Sequence, residues 1–227
     1  MVSPMATKCY AIVMNTELSS KIKEIKQTFR QMMDGVVAQS MREKGLNYHL
    51  NWGATLPRLR QMTEELKANN PESQVQYDLA IALWKENIRE CKILATMLMP
   101  PDKILSEVVD IWMEQTETQE VAEQAAMNLY CKLPYAAEKA YQWIASDREL
   151  CQLCGFHVLS RLFMNGQEPN ERGINEFVDQ ALAAIHGHSL MVNKAANNAL
   201  QHFADLGLVY ERIAASALRS VKSAKDL

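Results

Sequence analysis

The sequence has few of the residues that interrupt helices. It contains eight glycines and seven prolines among 227 residues. No segment alternates apolar and polar residues over the length of a strand, whereas Ala, Leu, Met, Glu, Gln and Lys are abundant. Because these residues favour helices and alternation is the mark of a half-buried strand, the composition argues against β and mixed α/β folds. We therefore predict an all-α protein.

Cysteines and long apolar runs are also scarce. The five cysteines are an odd number, which does not suit a disulfide framework and indicates a reducing compartment. The apolar run of residues 9–14 is too short for the core of a signal peptide or for a membrane span. These absences predict a cytoplasmic protein that has no membrane partner.

Positive charge is not in excess. The chain has 24 Lys and Arg against 27 Asp and Glu, a formal net charge of −3, and its pI is near 6.0. Non-specific coating of nucleic acid relies on many Lys and Arg that neutralise phosphates. The charge balance argues against that class of protein but leaves room for a local basic groove.

Helical periodicity is what the sequence does show, most clearly between Leu79 and Met99. Leu79 and Leu83 are one turn apart, and a second apolar series at spacings of three and four begins at Ile88. The change of phase near Glu86-Asn87 predicts two short antiparallel helices. Similar patterns recur every ~15 to 20 residues, the spacing of a helical-repeat solenoid. We predict one such domain over residues 16–227, opening with a single helix from Thr16 to about Lys44, after an irregular lead-in over residues 1–15.

The stretch around Trp84 resembles the signature of the DNA alkylation repair family, the AlkD-like DNA glycosylases built from HEAT-like helical repeats. The matching positions are Trp84, Arg89, Glu90, Lys92, Leu94 and Ala95. The resemblance continues at Trp112, in the WIASD of residues 143–147 and in the VNKA of residues 192–195, and so covers residues 50–205. It implies a HEAT-like α-α superhelix that binds DNA on its concave face and needs no metal or organic cofactor.

The resemblance also implies where a catalytic site would lie. Aromatic faces stabilise the cationic alkylated base as it leaves, and a carboxylate stabilises the sugar. Glu123 falls on the family's carboxylate position, although a solvated helix residue is the competing interpretation. The two aromatic positions carry Gln119 and Asn198, and the family's arginine position carries Leu153. Gln119 also fits a helix capping box with Thr116. These replacements predict weakened or absent base excision.

Six basic residues are candidates for phosphate contacts. Lys85, Arg89 and Lys92 recur at spacings of four and three, as on one helix face. Arg58, Arg60 and Lys194 are the other candidates. The competing interpretation is a helix surface of mixed charge, because Glu86 and Glu90 lie among the first three.

Three alternatives have to be weighed: a metal site, a protein-interaction scaffold and recognition of DNA by its shape. Cys151-x-x-Cys154 could suggest zinc, but no second pair accompanies it and His157 lies only three residues further on, so we reject a metal site. A protein-interaction scaffold remains the alternative, since helical arrays present extended surfaces to protein partners. Recognition of duplex, damaged or branched DNA by its shape needs phosphate contacts but no aromatic cage.

Overall fold

The computed structural model describes the backbone of residues 4–225 and the side chains of residues 16–219. Over this part of the chain it contains helices and no strand. The helices are α1 (Pro4–Gln31), α2 (Gly35–Glu43), α3 (Leu56–Asn69), α4 (Ser73–Lys85), α5 (Arg89–Leu98), α6 (Ser106–Glu114), α7 (Gln119–Asn128), α8 (Ala136–Ile144), α9 (Glu149–Met164), α10 (Glu171–Ile185), α11 (Leu190–Ala204) and α12 (Leu208–Lys225). A 3-10 turn, Tyr130–Lys132, lies between α7 and α8. The predicted all-α fold class is confirmed.

The chain divides into two compact units, Met1–Ile104 and Leu105–Leu227. In the first unit α4 packs on α1 and α5, and α5 also packs on α3. The change of helical phase predicted near Glu86-Asn87 coincides with the turn between α4 and α5. Asn87 has a left-handed backbone (φ 48°), which asparagine tolerates better than most residues. The assignment of residues 16–227 to a single domain stays a prediction.

The N-terminal region differs from its predicted form. Helix α1 begins at Pro4, a residue suited to the first helical turn, so the predicted irregular lead-in is wrong from that residue onward. Residues 1–3 lie outside the described part. The predicted single helix from Thr16 to Lys44 is also wrong, because α1 ends at Gln31 and Asp34 starts a new helix. The Asp34 carboxylate accepts hydrogen bonds from the amides of Val36 and Val37, both at 3.0 Å.

In the second unit α9 is the central helix. It packs against α7, α8 and α11, while α10 packs against α8, α11 and α12. Helices α7, α9 and α11 thus lie side by side in one layer, and α8, α10 and α12 in a second. The core between them is a chain of aromatic rings with centroids 5.0 to 6.5 Å apart, formed by Phe156, Phe163, Phe177, Phe203 and Tyr210.

Within residues 4–225, no helix combines the length and the apolar character that crossing a membrane requires.

Candidate nucleic-acid interface

Three of the predicted phosphate contacts in the first unit are exposed. Arg58 and Arg60 lie in the first two turns of α3, which starts with Pro57 in its first turn, and Lys85 is the last residue of α4. No contact among the described residues joins these three side chains. Each can reach a phosphate separately, so they remain predicted contacts.

Arg89 is not available to DNA. Its side chain is only 1% exposed, and its Nη1 donates to the backbone oxygen of Ala54 at 2.7 Å and to Oε1 of Glu90 at 3.2 Å. A guanidinium held in this way already has its acceptors inside the protein. The prediction that Arg89 contacts phosphate is therefore wrong.

Glu90 completes a cluster that we call the buried pair, Arg89 and Glu90. The Glu90 carboxylate is fully buried and accepts hydrogen bonds from the amides of Trp52 (3.3 Å) and Ala54 (3.2 Å). The pair therefore fastens the segment before α3 to the start of α5. Its role is structural, since both ions are buried and bond to each other and to the backbone.

Lys92 is also buried, with 8% of its surface exposed, and its ammonium lies 4.6 Å from the centre of the Trp84 ring. Its assignment as a phosphate contact is wrong for the same reason. The spacing of Lys85, Arg89 and Lys92 implies one face only if a single helix carries all three. The turn at Asn87 places Lys85 on α4 and the other two on α5.

The second unit holds a more open arrangement of polar side chains between two adjacent helices. We call it the α7–α9 cluster: Gln119, Glu123, His157 and Arg161. Oε1 of Glu123 accepts a hydrogen bond from Nε2 of Gln119 at 2.7 Å and lies 3.8 Å from Nε2 of His157. The side chains of His157 and Glu123 are 25% and 30% exposed. The one carboxylate implied by the family resemblance thus faces an imidazole.

The protonation of His157 reflects opposing influences. Burial lowers the pKa of His157 below its usual value, the Glu123 carboxylate acts to raise that pKa, and Arg161 acts to lower it. The lowering prevails, so the imidazole is neutral at neutral pH. Sequence reasoning missed His157 and Arg161 as a pair. The available signal was their four-residue spacing within a helical pattern.

Gln119 does not act in the predicted capping box. The N-cap of α7 is Thr118, whose hydroxyl accepts a hydrogen bond from the amide of Val121 at 3.4 Å. The Thr116 hydroxyl instead donates to the backbone oxygen of Trp112 at 2.8 Å. The prediction of a capping box is wrong because α7 starts two residues later than the motif requires. The Gln119 side-chain amide therefore bonds to Glu123 instead.

The other two replaced positions lie on α9 and α11. Leu153 is buried in the core with 1% exposure and presents nothing to a ligand. Nδ2 of Asn198 donates to Oγ of Ser160 at 3.0 Å, which links α11 to α9. Lys194 is exposed one turn before Asn198 and remains a predicted phosphate contact.

The layer formed by α7, α9 and α11 has no accessible Phe, Tyr or Trp ring among its described side chains. Helix α7 contains no aromatic residue, and the rings of Phe156, Phe163 and Phe203 on the other two helices are all buried. The open side chains of this layer are mostly polar or charged, apart from Met164 and Leu190 at helix ends, which are 53% and 67% exposed. The layer can pair with anions but lacks the large aromatic faces that Phe, Tyr and Trp offer to a base.

Cys151 and Cys154 do not form a metal site with any described residue. Cys151 and Cys154 are buried, and burial raises the pKa of Cys154 well above its usual value, which favours the thiol over the metal-binding thiolate. Among the described residues, no group of three His, Cys, Asp or Glu side chains is arranged to hold a metal ion.

Pairs of helices stacked into two layers define an α-helical repeat protein. A family model for the DNA alkylation repair enzymes matches residues 25–206, most of the chain, so the chain belongs to the DNA alkylation repair family. The chain is also similar to a solved structure described as "a new family of proteins related to the HEAT-like repeat DNA glycosylases with affinity for branched DNA structures". The TM-score is 0.74 at 18% identity, with 88% of this chain and 82% of that chain covered. The predicted HEAT-like fold is therefore confirmed. A search of curated protein sequences finds no match.

Proposed function

We propose that the chain binds DNA on the concave face implied by the family resemblance and does not excise bases. Membership of the DNA alkylation repair family supports a DNA-related function. The similar structure is described as having affinity for branched DNA, which supports a DNA ligand recognised by shape.

The absence of an accessible Phe, Tyr or Trp ring from the described surface of the α7, α9 and α11 layer is the observation that carries this proposal. Excision of a cationic alkylated base by the family mechanism relies on aromatic faces that stabilise its positive charge while the glycosidic bond breaks. Gln119 and Asn198 offer amides instead, and both amides are already engaged in hydrogen bonds. Glu123 retains a carboxylate, but a carboxylate without an aromatic partner cannot hold the base. Phosphate contacts need no such ring.

Exposed basic side chains supply those contacts. Arg58, Arg60, Lys85 and Lys194 are all exposed. Each contact to phosphate releases counterions and makes binding sensitive to salt. Affinity for DNA then arises from local positive charge in a chain whose net charge is −3.

A protein-interaction scaffold is the second candidate function, and one observation favours it. Leu208 and Val209, at the start of α12, are 71% and 66% exposed. Adjacent exposed apolar side chains are typical of surfaces that meet a protein partner. The two candidates differ in whether DNA binds at all.

The test is a titration of the purified protein against fluorescent duplex and branched DNA at two salt concentrations. We expect binding that weakens as salt rises, and we expect Lys194→Gln to lower the slope of log affinity against log salt by about 0.9 on duplex DNA. Arg172→Gln, an exposed arginine on α10, is the matched control and should leave that slope unchanged. Absence of binding at low salt would overturn the proposal and favour the scaffold.

A further inference from the structure

Most of helix α9 is covered by its neighbours, and two basic side chains lie on the part that stays open. His157 and Arg161 are one helical turn apart and both are half-buried, whereas most residues around them on α9 are fully buried. Helices α7 and α11 pack on either side. Residues spaced by four project in the same direction, so the imidazole and the guanidinium can approach one ligand together.

Arg161 lacks an acceptor inside the protein. Among the arginines with described side chains, only Arg89 and Arg161 are not exposed. Arg89 is fully engaged with Ala54 and Glu90, whereas the Arg161 guanidinium has no hydrogen bond or ion pair with any described residue. A guanidinium carries five N–H donors in a planar fork that matches the oxygens of a phosphate. Partial burial strengthens such a charge-assisted bond.

Lys132 and Arg161 both act on the thiol of Cys131. Burial raises the pKa of the Cys131 thiol, while the nearby charges of Lys132 and Arg161 act to lower that pKa. Lys132 is exposed in the 3-10 turn. The charges acting on His157 are those of Glu123 from α7 and Arg161 from its own helix, and α8, α11 and the 3-10 turn contribute none. Arg161 thus acts on both Cys131 and His157, together with Lys132 at the first and with Glu123 at the second.

We propose that Arg161 and His157 form a binding site for a backbone phosphate of DNA, with Glu123 supporting the protonated form of His157 when the phosphate is bound. Arg161 donates to the non-bridging oxygens, and the imidazolium donates a further hydrogen bond. This inference rests on the proposed function of DNA binding, and it names the residues of the second unit that hold the phosphate.

The site makes DNA binding depend on pH. In the free protein the pKa of His157 is lowered, mainly by burial. A bound phosphate favours the imidazolium and raises that pKa, so a proton is taken up as DNA binds. Affinity for DNA therefore increases as the pH falls from about 8 to about 6, the range in which histidine titrates.

The experiment compares five substitutions in the whole 227-residue chain by titration with fluorescent branched and duplex DNA. Arg161→Gln should weaken binding about tenfold at low salt, and should lower the salt slope on duplex DNA by about 0.9. Arg161→Lys keeps the charge but loses the fork, so it should weaken binding less and keep the slope. This variant also tests the site if Arg161→Gln does not fold. Arg172→Gln and His188→Gln, both exposed and outside the site, serve as matched controls.

The pH dependence gives a readout that a purely structural role would not change. His157→Gln should flatten the increase in affinity between pH 8 and pH 6, whereas His188→Gln should retain that increase. In the wild-type protein, NMR titration of the His157 ring should show its midpoint move to higher pH when DNA is added.

Two results would overturn the site. If Arg161→Gln and Arg161→Lys both keep wild-type affinity and salt slope, Arg161 is not part of the phosphate site. If DNA does not shift the titration midpoint of His157, His157 is not part of it. If the wild-type protein itself binds no DNA, the proposed function fails together with the site. If the wild type binds and the site variants bind equally well, only the site fails.

Discussion

The buried pair in the first unit and the α7–α9 cluster in the second are built from similar residue types and differ in burial. Arg89 and Glu90 are 1% and 0% exposed, and four hydrogen bonds join them to each other and to the Asn51–Ala54 segment. Glu123 and His157 are 30% and 25% exposed, Oε1 of Glu123 lies 3.8 Å from Nε2 of His157, and Arg161 has no hydrogen bond or ion pair with a described residue. Buried ionic groups form hydrogen bonds with each other and with the backbone. Groups at a half-open surface retain hydrogen-bond donors that a ligand can use.

The largest effect should come from breaking the buried pair. Glu90→Gln removes the negative charge that compensates Arg89, and leaving one buried ion unpaired costs about 3 to 5 kcal/mol. The expected result is a fall of that size in the free energy of unfolding, measured by urea denaturation. Glu123→Gln is the matched control, and it should change stability by less than about 0.5 kcal/mol because its site is half open. Equal losses in the two variants would mean that burial does not distinguish the clusters.

The segment held by the buried pair provides a second test. Gly53 has a left-handed backbone (φ 78°), and a Cβ added there would lie 2.2 Å from the backbone oxygen of Asp34. Gly53→Ala should therefore destabilise the fold by about 2 kcal/mol. Gly45 has a similar φ of 82° with open space around it, so Gly45→Ala should cost only about 1 kcal/mol. Thermal denaturation of both variants separates the effect of the steric contact from the effect of the left-handed backbone. Equal losses of stability in the two variants would show that the segment around Gly53 is not tightly held.

A polar group without a hydrogen-bond partner can destabilise the fold instead of marking a binding site. Tyr130 allows the two cases to be separated. Its hydroxyl is fully buried without a hydrogen-bond partner, in contrast to the half-open Arg161. Tyr130→Phe should raise the free energy of unfolding by about 1 kcal/mol, since it removes an unsatisfied group. Tyr141→Phe should lower it by about 1 kcal/mol, since the Tyr141 hydroxyl donates to Gly173 at 3.1 Å. Chemical denaturation gives both signs, and a loss of stability in Tyr130→Phe would contradict the assignment.

The smallest expected effect concerns the electrostatics of the α7–α9 cluster. Because the Glu123 carboxylate acts to raise the pKa of His157, Glu123→Gln should lower the pKa of His157 further. NMR titration of the ring measures the change, with His188 as the internal reference. His157 has a lowered pKa in the folded state, so its contribution to stability is present above the unfolded pKa of about 6.5 and is lost as the pH falls through the folded pKa. An unchanged midpoint in Glu123→Gln would mean that the two side chains do not interact.

The sequence predicts the fold better than it predicts the site. Apolar spacing reports which face of a helix is buried, so it correctly located the turn near Asn87 and the all-α fold. It does not report which neighbouring element covers a polar residue. Spacing alone places Arg89 and Lys92 on the surface. In the structure Arg89 bonds the backbone of Ala54 and Lys92 lies over the Trp84 ring, and both of these groups come from other elements of the chain.

Polar signals that are local in sequence were also ambiguous. Thr116 and Thr118 both precede the same helix, and only the structure shows that Thr118 caps it. The partnership of His157 with Glu123 joins residues on two helices, which spacing within one helix cannot reveal. The open pair on α9 could be recognised only once the rest of that helix was seen to be covered.

The measurement that tests the central claim most directly is an assay of base release from alkylated DNA under conditions where binding is saturated. The protein, fluorescent alkylated duplex and the matching undamaged duplex are incubated together, and bound fraction and released base are read from the same tubes. DNA binding without base release above the protein-free rate is the predicted result, because the described surface of the α7, α9 and α11 layer has no Phe, Tyr or Trp ring to hold the alkylated base. Base release that depends on Glu123 would contradict the account.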